Sequence, residues 1–355
     1  MNHKTCVVHL TAVDGSMQAS ARVARFLAVM LKCPLLDSVD AVMEFCAHLP
    51  LAGRNATVFF VNGPIAFCGF RDELGSYLLP RTKTVYWVQQ DYTITLPPNQ
   101  AYSRATKAET PFRAEFHKVP HVHLWSTCHD VLARRQERQV PGYEKDEYVN
   151  WNALTYAPLG GTPEVARNRV LYYGALRAGR TDSLAKFFCC DESEDSLTIS
   201  ASNLNKTTYE AWRAVAPHAS ILGPEKMRGS IIAQNGNGLG AQSLLRFIAQ
   251  YQHSLYVADR ESELNFHSLA NRFYEVLSTP GTVLWLDAAG AATYRAAGLK
   301  NWERFAVSSG EHLFRNARLP VRKLRQLARQ QREDWLITDP FQVLRSQVLK
   351  LIKEL

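Results

Sequence analysis

Short runs of β-branched and aromatic residues recur along the chain, with helical patterns between them. The runs span residues 6–10, 57–61, 84–88, 121–125, 170–173, 197–200, 254–258 and 282–286. Such runs are typical of buried strands, and their alternation with helices is typical of a parallel sheet. An apolar stripe at helical spacing follows the first run and consists of Val23, Phe26, Leu27, Met30 and Leu31. We therefore predict an α/β fold that opens with a strand and a helix.

A polar stretch at residues 141–167 interrupts this alternation with three prolines and three glycines. A chain of 355 residues is long enough for two domains at the usual ~150 residues each. We place the boundary in this stretch and predict one lobe at 1–155 and a second at 156–335. We also predict a C-terminal helix at residues 336–355 that packs back on the first lobe. A ligand cleft between the lobes would lie at the carboxyl ends of the strands.

Hydropathy and cysteine usage narrow the class of protein. No apolar stretch reaches the ~18 residues of a membrane helix, and the N-terminal sequence MNHKTCVVHL does not resemble a signal peptide. We therefore expect a cytoplasmic protein without a membrane partner. The cysteines are odd in number, include no CxxC motif and lie mostly in apolar runs, which indicates reduced and buried thiols. They are Cys6, Cys33, Cys46, Cys68, Cys128, Cys189 and Cys190.

Basic residues outnumber acidic ones, 41 to 33, which gives a net charge of +8. This excess favours a polyanionic partner and leaves nucleic acid and phosphorylated metabolites both open. The run VRKLRQLARQQR at residues 321–332 predicts a basic helix face. Such faces are typically only solvated, and contact with DNA remains open here.

The segment at residues 170–188 predicts a strand, a turn at Gly174 and a helix. Arg177, Gly179 and Arg180 lie in the turn. Glycine permits close approach of the backbone, the helix start offers free N–H groups, and arginines are bidentate donors. The pattern suits a diphosphate-binding loop, and equally a plain turn with two solvated arginines.

Arg272 and Glu275 lie three residues apart on a second predicted helix. An arginine and a carboxylate so placed can hold a phosphate and a ribose diol together. A surface ion pair is the simpler interpretation.

Asp91 follows the apolar run at 84–88. This is the carboxyl edge at which α/β enzymes place catalytic groups. An aspartate there is more often a helix cap or turn former, but prolines 97 and 98 follow and no helical pattern begins.

The sequence predicts no metal site. His121 and His123 share one side of a strand, whereas Cys128 and His129 lie beyond it, so the four lack the spacing of a zinc site. The acidic run at residues 191–195 is typical of a solvated loop.

Four segments together resemble the DNA β-glucosyltransferase family of T-even bacteriophages. FVNGPIAFCG at 60–69 is similar to the family segment V-N-x-x-I-x-F-x-G, and VYWVQQD at 85–91 to its strand ending in a catalytic aspartate. YGALRAGRTDS at 173–183 resembles its diphosphate loop, although Arg180 falls one residue short of the family's second arginine. RFYEVLS at 272–278 resembles its R-x-W-E motif.

The resemblance implies a GT-B fold, with two Rossmann-like lobes facing across a cleft. It implies transfer of a hexose, glucose in this family, from a UDP-sugar to a 5-hydroxymethylpyrimidine in double-stranded DNA, with inversion and base flipping. Asp91 becomes the general base and Glu275 the ribose ligand, while the diphosphate ligands are Gly174, Arg177, Arg180 and Arg272.

The acceptor side is assigned to the loops at 13–20 and 62–70, which lie at strand ends of the first lobe. Asp14, Asn62 and Phe67 are the candidates for contact with DNA, and Asp14 is also a candidate helix cap. We expect a monomer. Whether a divalent ion, Mg or Mn, assists the reaction is left open. Two other functions remain: a GT-B transferase with a non-DNA acceptor, and a non-catalytic nucleic-acid-binding protein.

Overall fold

The computed structural model divides the chain into two compact units, Met1–Thr155 with Leu344–Leu355, and Tyr156–Val343. It describes residues 4–9, 19–49, 56–61, 78–89, 121–126, 146–148, 167–174, 176, 180–193, 196–201, 205–223, 240–258, 269–335, 346 and 350. Each unit holds a six-stranded sheet within these ranges. Neighbouring strands pair in parallel throughout both sheets, which confirms the predicted α/β class.

The first unit is built on a sheet with the strand order β2-β1-β3-β4-β5-β6. Its elements are β1 Lys4–Val8, α1 Ala19–Leu31, β2 Leu35–Leu36, α2 Val39–Ala47, β3 Ala56–Val61, β4 Thr82–Gln89, β5 Val122–Ser126 and β6 Asp146–Tyr148. This order belongs to the flavodoxin type of doubly wound sheet rather than to the Rossmann order. Strand order reverses between β1 and β3, and ligands of such sheets bind at that point.

The core of the first unit lies on both faces of β3, every residue of which is buried. The ring of Phe59 stacks on Tyr86 of β4 with the centroids 4.8 Å apart, and Tyr86 also packs against Trp125 of β5. Helix α1 buries Val23 and Leu27 of the predicted stripe against this sheet. A strand buried on both faces needs a continuous apolar sequence, and this is why β3 is evident from sequence alone.

The second unit has the strand order β12-β11-β10-β7-β8-β9. Its strands are β7 Arg167–Gly174, β8 Leu197–Ala201, β9 Ser220–Leu222, β10 Tyr251–Tyr256, β11 Val283–Asp287 and β12 Ala306–Val307. Renumbered from β7, this is the Rossmann order 3-2-1-4-5-6, with the reversal between β7 and β10. The carboxyl ends of β7 and β10 therefore form the expected ligand position of this unit.

The helices of this unit are α3 Thr181–Phe188, α4 Lys206–Val215, α5 Gly240–Ile248, α6 Asn271–Leu277, α7 Ala291–Ala296, α8 Gly310–Ala317 and α9 Val321–Trp335. Helices α3 to α7 connect these strands, and helices α8 and α9 follow β12. Helix α3 buries Leu184, Phe187 and Phe188, as its sequence spacing predicts. Helix α4 begins with a capping box between Asn205 and Thr208, which satisfies two backbone groups at its start.

Five cysteines lie in the described part of the chain, and all five are free thiols. Burial raises the pKa of Cys33 and of Cys46 to about 11, so both remain protonated at neutral pH. Cys189, predicted to be buried, is instead exposed at the end of α3. No helix of the described residues combines the length and apolarity needed to cross a membrane.

Candidate functional site

The carboxyl ends of β7 and β10 meet the start of α6 at the reversal point of the second sheet. Arg272, the second residue of α6, reaches across both strand ends. Its Nη1 atom donates to the hydroxyl of Tyr172 at 3.0 Å and to the carbonyl of Tyr173 at 3.3 Å, and its Nη2 atom donates to the carbonyl of Val257 at 3.0 Å. One guanidinium thus joins the two strands where a ligand of this fold is expected.

Gly174 ends β7 directly beneath this guanidinium. Its φ of +141° lies in the region that residues with a side chain rarely adopt. A Cβ atom at this position would lie 2.9 Å from Nη1 of Arg272. Both the backbone conformation and the close approach of Arg272 therefore favour glycine here.

Aromatic rings surround the Arg272 side chain. The centre of the guanidinium lies 5.5 Å from the ring centroid of Tyr172 and 5.6 Å from that of Tyr256. Burial by itself lowers the pKa of Arg272, but the phenols of Tyr172 and Tyr256 raise it overall. The side chain therefore remains a cation, and cation–π contacts help to hold it in place.

Arg180 lies immediately before α3 and converges on the same tyrosine. Burial by itself raises the pKa of Tyr172, yet the charges of Arg272 and Arg180, with hydrogen bonds from both, lower it overall. Arg180 is 8% exposed, so it is not the solvated turn residue that the simpler interpretation supposed. We call Arg180, Arg272 and Tyr172 the arginine cluster.

Glu275 lies one helical turn beyond Arg272 and is 3% exposed. Its Oε2 atom accepts a hydrogen bond of 2.8 Å from the hydroxyl of Tyr173. The same hydroxyl lies 3.3 Å from the carbonyl oxygen of Arg272. The interpretation of a surface ion pair is wrong for this carboxylate, because it is buried. Helix α6 also has no solvated face for Glu275, since Phe273 through Leu277 are all buried.

Two guanidinium groups and a buried carboxylate thus meet at the reversal point of a parallel sheet. Guanidinium groups bind phosphate oxygens through charge-assisted hydrogen bonds. A carboxylate accepts several hydrogen bonds at once and suits a sugar diol. The arrangement is chemically suited to a ligand with a phosphate group next to a ribose.

Sequence reasoning missed Tyr172 and Tyr173, which orient Arg272 and Glu275. Both belong to an apolar strand run, so they read as core residues. The available signal was their position, since they directly precede a glycine at the carboxyl end of a strand.

The other predicted site residues lie outside the described residues. They are Asp14, Asn62, Phe67, Asp91 and Arg177. Their positions in the chain still connect them to the first sheet, Arg177 excepted. Asp14 follows β1, Asn62 directly follows β3, and Asp91 is the second residue after β4.

In the part of the chain that the structure describes, side chains that could bind a metal ion are dispersed rather than grouped. No three His, Cys, Asp or Glu side chains within it are grouped closely enough to hold a metal ion. Neither His121 nor His123 belongs to such a group. We derive no step that uses a metal.

Comparisons with known proteins agree on the fold. No protein-family model matches the sequence, and no curated protein matches it either. A structure of T4 phage BGT in complex with UDP and Mn²⁺ superposes with a TM-score of 0.54 and 14% identity, over 98% of this chain and 97% of that one. A structure of the DNA-modifying enzyme β-glucosyltransferase gives 0.51 and 13%, over 98% and 96%.

Anabaena Alr3699/HepE in complex with UDP and glucose gives a TM-score of 0.53 with 10% identity over the whole of both chains. These identities are low, so the likeness concerns the fold. The chain therefore has the GT-B fold of the phage β-glucosyltransferase structures, as the resemblance implied.

Proposed function

We propose that the chain transfers a hexose, glucose in the first instance, from a UDP-sugar to a 5-hydroxymethylpyrimidine base in double-stranded DNA. The observation that carries the donor half is the arginine cluster beside Glu275 at the reversal point of the second sheet. The GT-B fold supports it, because the two similar structures named above with UDP bound share that fold.

In this proposal the cluster binds the diphosphate. Arg272 stabilises the negative charge that develops on UDP as it leaves, together with Arg177 and Arg180 from the loop between β7 and α3. Gly174 gives the Arg272 guanidinium room beside the strand end, where the phosphates are proposed to bind. Glu275 accepts hydrogen bonds from the ribose hydroxyls and so orients the donor.

Asp91 is the proposed general base. It accepts the proton of the acceptor hydroxyl while the oxygen attacks C1 of the sugar. The bond between C1 and the phosphate oxygen breaks, and UDP leaves with its electron pair. A single displacement of this kind inverts the configuration at C1.

The DNA half of the proposal rests on sequence. A hydroxymethyl group inside a duplex is out of reach of a bulky donor, so the base must flip out. Asp14 and Asn62 belong to the segments that leave the carboxyl ends of β1 and β3, where the first sheet reverses. These segments, with Phe67, are the proposed acceptor side, and the net charge of +8 favours a phosphate backbone.

One observation favours a second candidate, a transferase with a different acceptor. The HepE structure is as similar as the phage ones, with a TM-score of 0.53, so the fold alone does not select DNA.

Labelled UDP-glucose, offered with hydroxymethylated duplex, unmodified duplex or cell extract, separates the two candidates. If the label appears in hydroxymethylated DNA and in no other acceptor, the result supports the proposal. Label in extract components other than DNA supports the second candidate, and absence of both UDP release and transfer with every acceptor overturns both.

A further inference from the structure

Helices α8 and α9 concentrate the excess positive charge of this chain. Residues 312–332 include no Asp or Glu. The basic residues of this stretch, with Arg315 in α8 as the first, are Arg315, Arg318, Arg322, Lys323, Arg325, Arg329 and Arg332. The stretch thus carries seven positive charges in a chain whose net charge is +8.

Four of these seven residues are exposed along one side of helix α9. Arg322, Arg325 and Arg329 follow the spacing i, i+3, i+7 and are exposed, and Lys323 is exposed beside them. Leu324, Ala328 and Gln331 are buried and lie on the opposite side of the helix. We call Arg322, Lys323, Arg325 and Arg329 the α9 basic face.

The buried side of α9 is fixed to the second sheet by specific hydrogen bonds. Gln331 accepts from the amide of Leu284 at 2.9 Å and donates to its carbonyl at 2.6 Å. Strand β12 pairs with β11 only at Leu286 and Asp287, so Gln331 takes the place of a strand partner beside Leu284. The basic face is therefore presented by a helix that is held rigidly.

Arg332 has a different role from the four residues of the α9 basic face. Its guanidinium donates to the carbonyls of Leu277, the last residue of α6, and of Thr279 and Pro280 just beyond it. Cations favour helix C-termini, so this arginine has a structural role. The four residues of the basic face have no such anchoring role.

The α9 basic face contributes little to the stability of the helix itself. Arg322 and Lys323 occupy its first turn, which contains no acidic residue, whereas Glu333 and Asp334 lie in its last turn. Helix dipoles favour the opposite placement, by about 0.3–1 kcal/mol for each charge. The pair Arg329–Glu333 at 2.8 Å has both side chains more than half exposed, and such pairs contribute little.

We propose that the α9 basic face binds the phosphate backbone of duplex DNA. The inference rests on the proposed DNA acceptor and assigns a second contact, outside the donor site. From Arg322 to Arg329 the helix rises about 10 Å, which matches the rise of about three phosphates on one strand. An exposed row of cations suits a backbone contact that reads no sequence.

The test is the salt dependence of binding to an unmodified, fluorescein-labelled duplex, followed by anisotropy at several NaCl concentrations. The test variant replaces Arg322, Lys323 and Arg325 with Gln in the full chain. A matched control replaces Lys206, Lys300 and Arg304 with Gln, three exposed cations of the same unit. UDP affinity, equal to that of the wild type, verifies that each variant is folded.

Each phosphate contact contributes about 0.9 to the slope of log K against log salt. Loss of three contacts should therefore make the slope less steep by nearly 3 in the test variant and leave it unchanged in the control. A slope equal to that of the wild type overturns the inference, as does an equal drop in both variants.

Hexose transfer separates this inference from the proposed function. Transfer to hydroxymethylated DNA with an unaltered slope in the test variant overturns the basic face alone. A reduced slope in the test variant, together with no hexose transfer by the wild-type protein, supports the basic face and overturns the proposed function. A wild-type protein that does not bind duplex DNA overturns the basic face.

Discussion

The Nη1 atom of Arg272 lies 3.0 Å from the hydroxyl oxygen of Tyr172 and joins the start of helix α6 to the end of strand β7. The second nitrogen of the same guanidinium donates to the carbonyl of Val257, which follows β10. A residue close to the proposed diphosphate therefore also fixes the geometry of the two strand ends. Substitutions in this region can therefore test the charge of Arg272 separately from the geometry of the two strand ends.

Arg272→Lys keeps the charge but removes the planar fork that reaches Tyr172, Tyr173 and Val257 together. We expect the Kd for UDP to rise at least about tenfold, which corresponds to about 1.4 kcal/mol. Calorimetric titration measures this. Arg295→Lys, at an exposed position on α7, is the control and should leave the Kd unchanged. A wild-type Kd in both variants would contradict the role of Arg272.

Gly174→Ala introduces a side chain at a φ of +141° and against Nη1 of Arg272. The strain costs on the order of 1–3 kcal/mol, and displacement of the guanidinium should weaken UDP binding as well. Gly298→Ala has a positive φ of +70° but open space around the Cβ, and Gly281→Ala has open space and no positive φ. Both controls should retain UDP affinity. Of these two, only Gly298→Ala should lose stability. Equal UDP affinity in all three variants would show that Gly174 does not support the site.

Glu275→Gln keeps the size of the side chain and removes its charge. If Glu275 binds the ribose hydroxyls, the wild type should prefer UDP to 2′-deoxy-UDP, because a hydrogen bond to a charged group contributes about 1.5–3 kcal/mol. The variant should lose most of that preference. Competition of the two nucleotides against a fluorescent UDP analogue measures the ratio in each protein. A preference that survives the substitution would assign Glu275 to structure only.

His253 links stability to pH. Burial lowers its pKa from 6.5 to about 4, and a backbone hydrogen bond to Ala317 offsets this only in part. Its Nδ1 atom lies 3.3 Å from the indole N–H of Trp285. The folded state therefore favours neutral His253, whereas the unfolded chain protonates it below about pH 6.5.

The stability from neutral His253 is present above pH 6.5 and decreases as the pH falls toward 4. The full loss is about 3 kcal/mol. Urea unfolding of the wild type and of His253→Gln measures it. The difference in unfolding free energy between the two should shrink by that amount between pH 7 and pH 4. A difference that does not change with pH would contradict the account.

Most of the sheet could be predicted from sequence, and the reasons are physical. Strands such as β3 and β11 are buried on both faces, so they appear as continuous apolar runs. The edge strands β2 and β12 contain two residues each, too few to show any period. The position of Arg272 and Glu275 on one short helix was also predictable, because Phe273, Val276 and Leu277 form an apolar stripe at helical spacing.

The burial of Arg180 and Glu275 could not be predicted. Charged residues are rarely buried unless they are paired. Tyr173, the partner of Glu275, belongs to a strand distant in sequence. Tyr172 precedes Arg180 by only eight residues, but its place in an apolar run is typical of a core residue. Hydrogen bonds that span about a hundred residues leave no local pattern, as between Tyr173 and Glu275.

The central claim is that the arginine cluster binds the diphosphate of a UDP-sugar. Titration of the wild-type protein with UDP and with uridine tests it most directly, because the two ligands share the base and the ribose and differ in the diphosphate. We expect UDP to bind at least about a hundredfold more tightly, as is usual for two or more charge-assisted contacts. Equal affinity for the two ligands, or no binding of UDP, would contradict it.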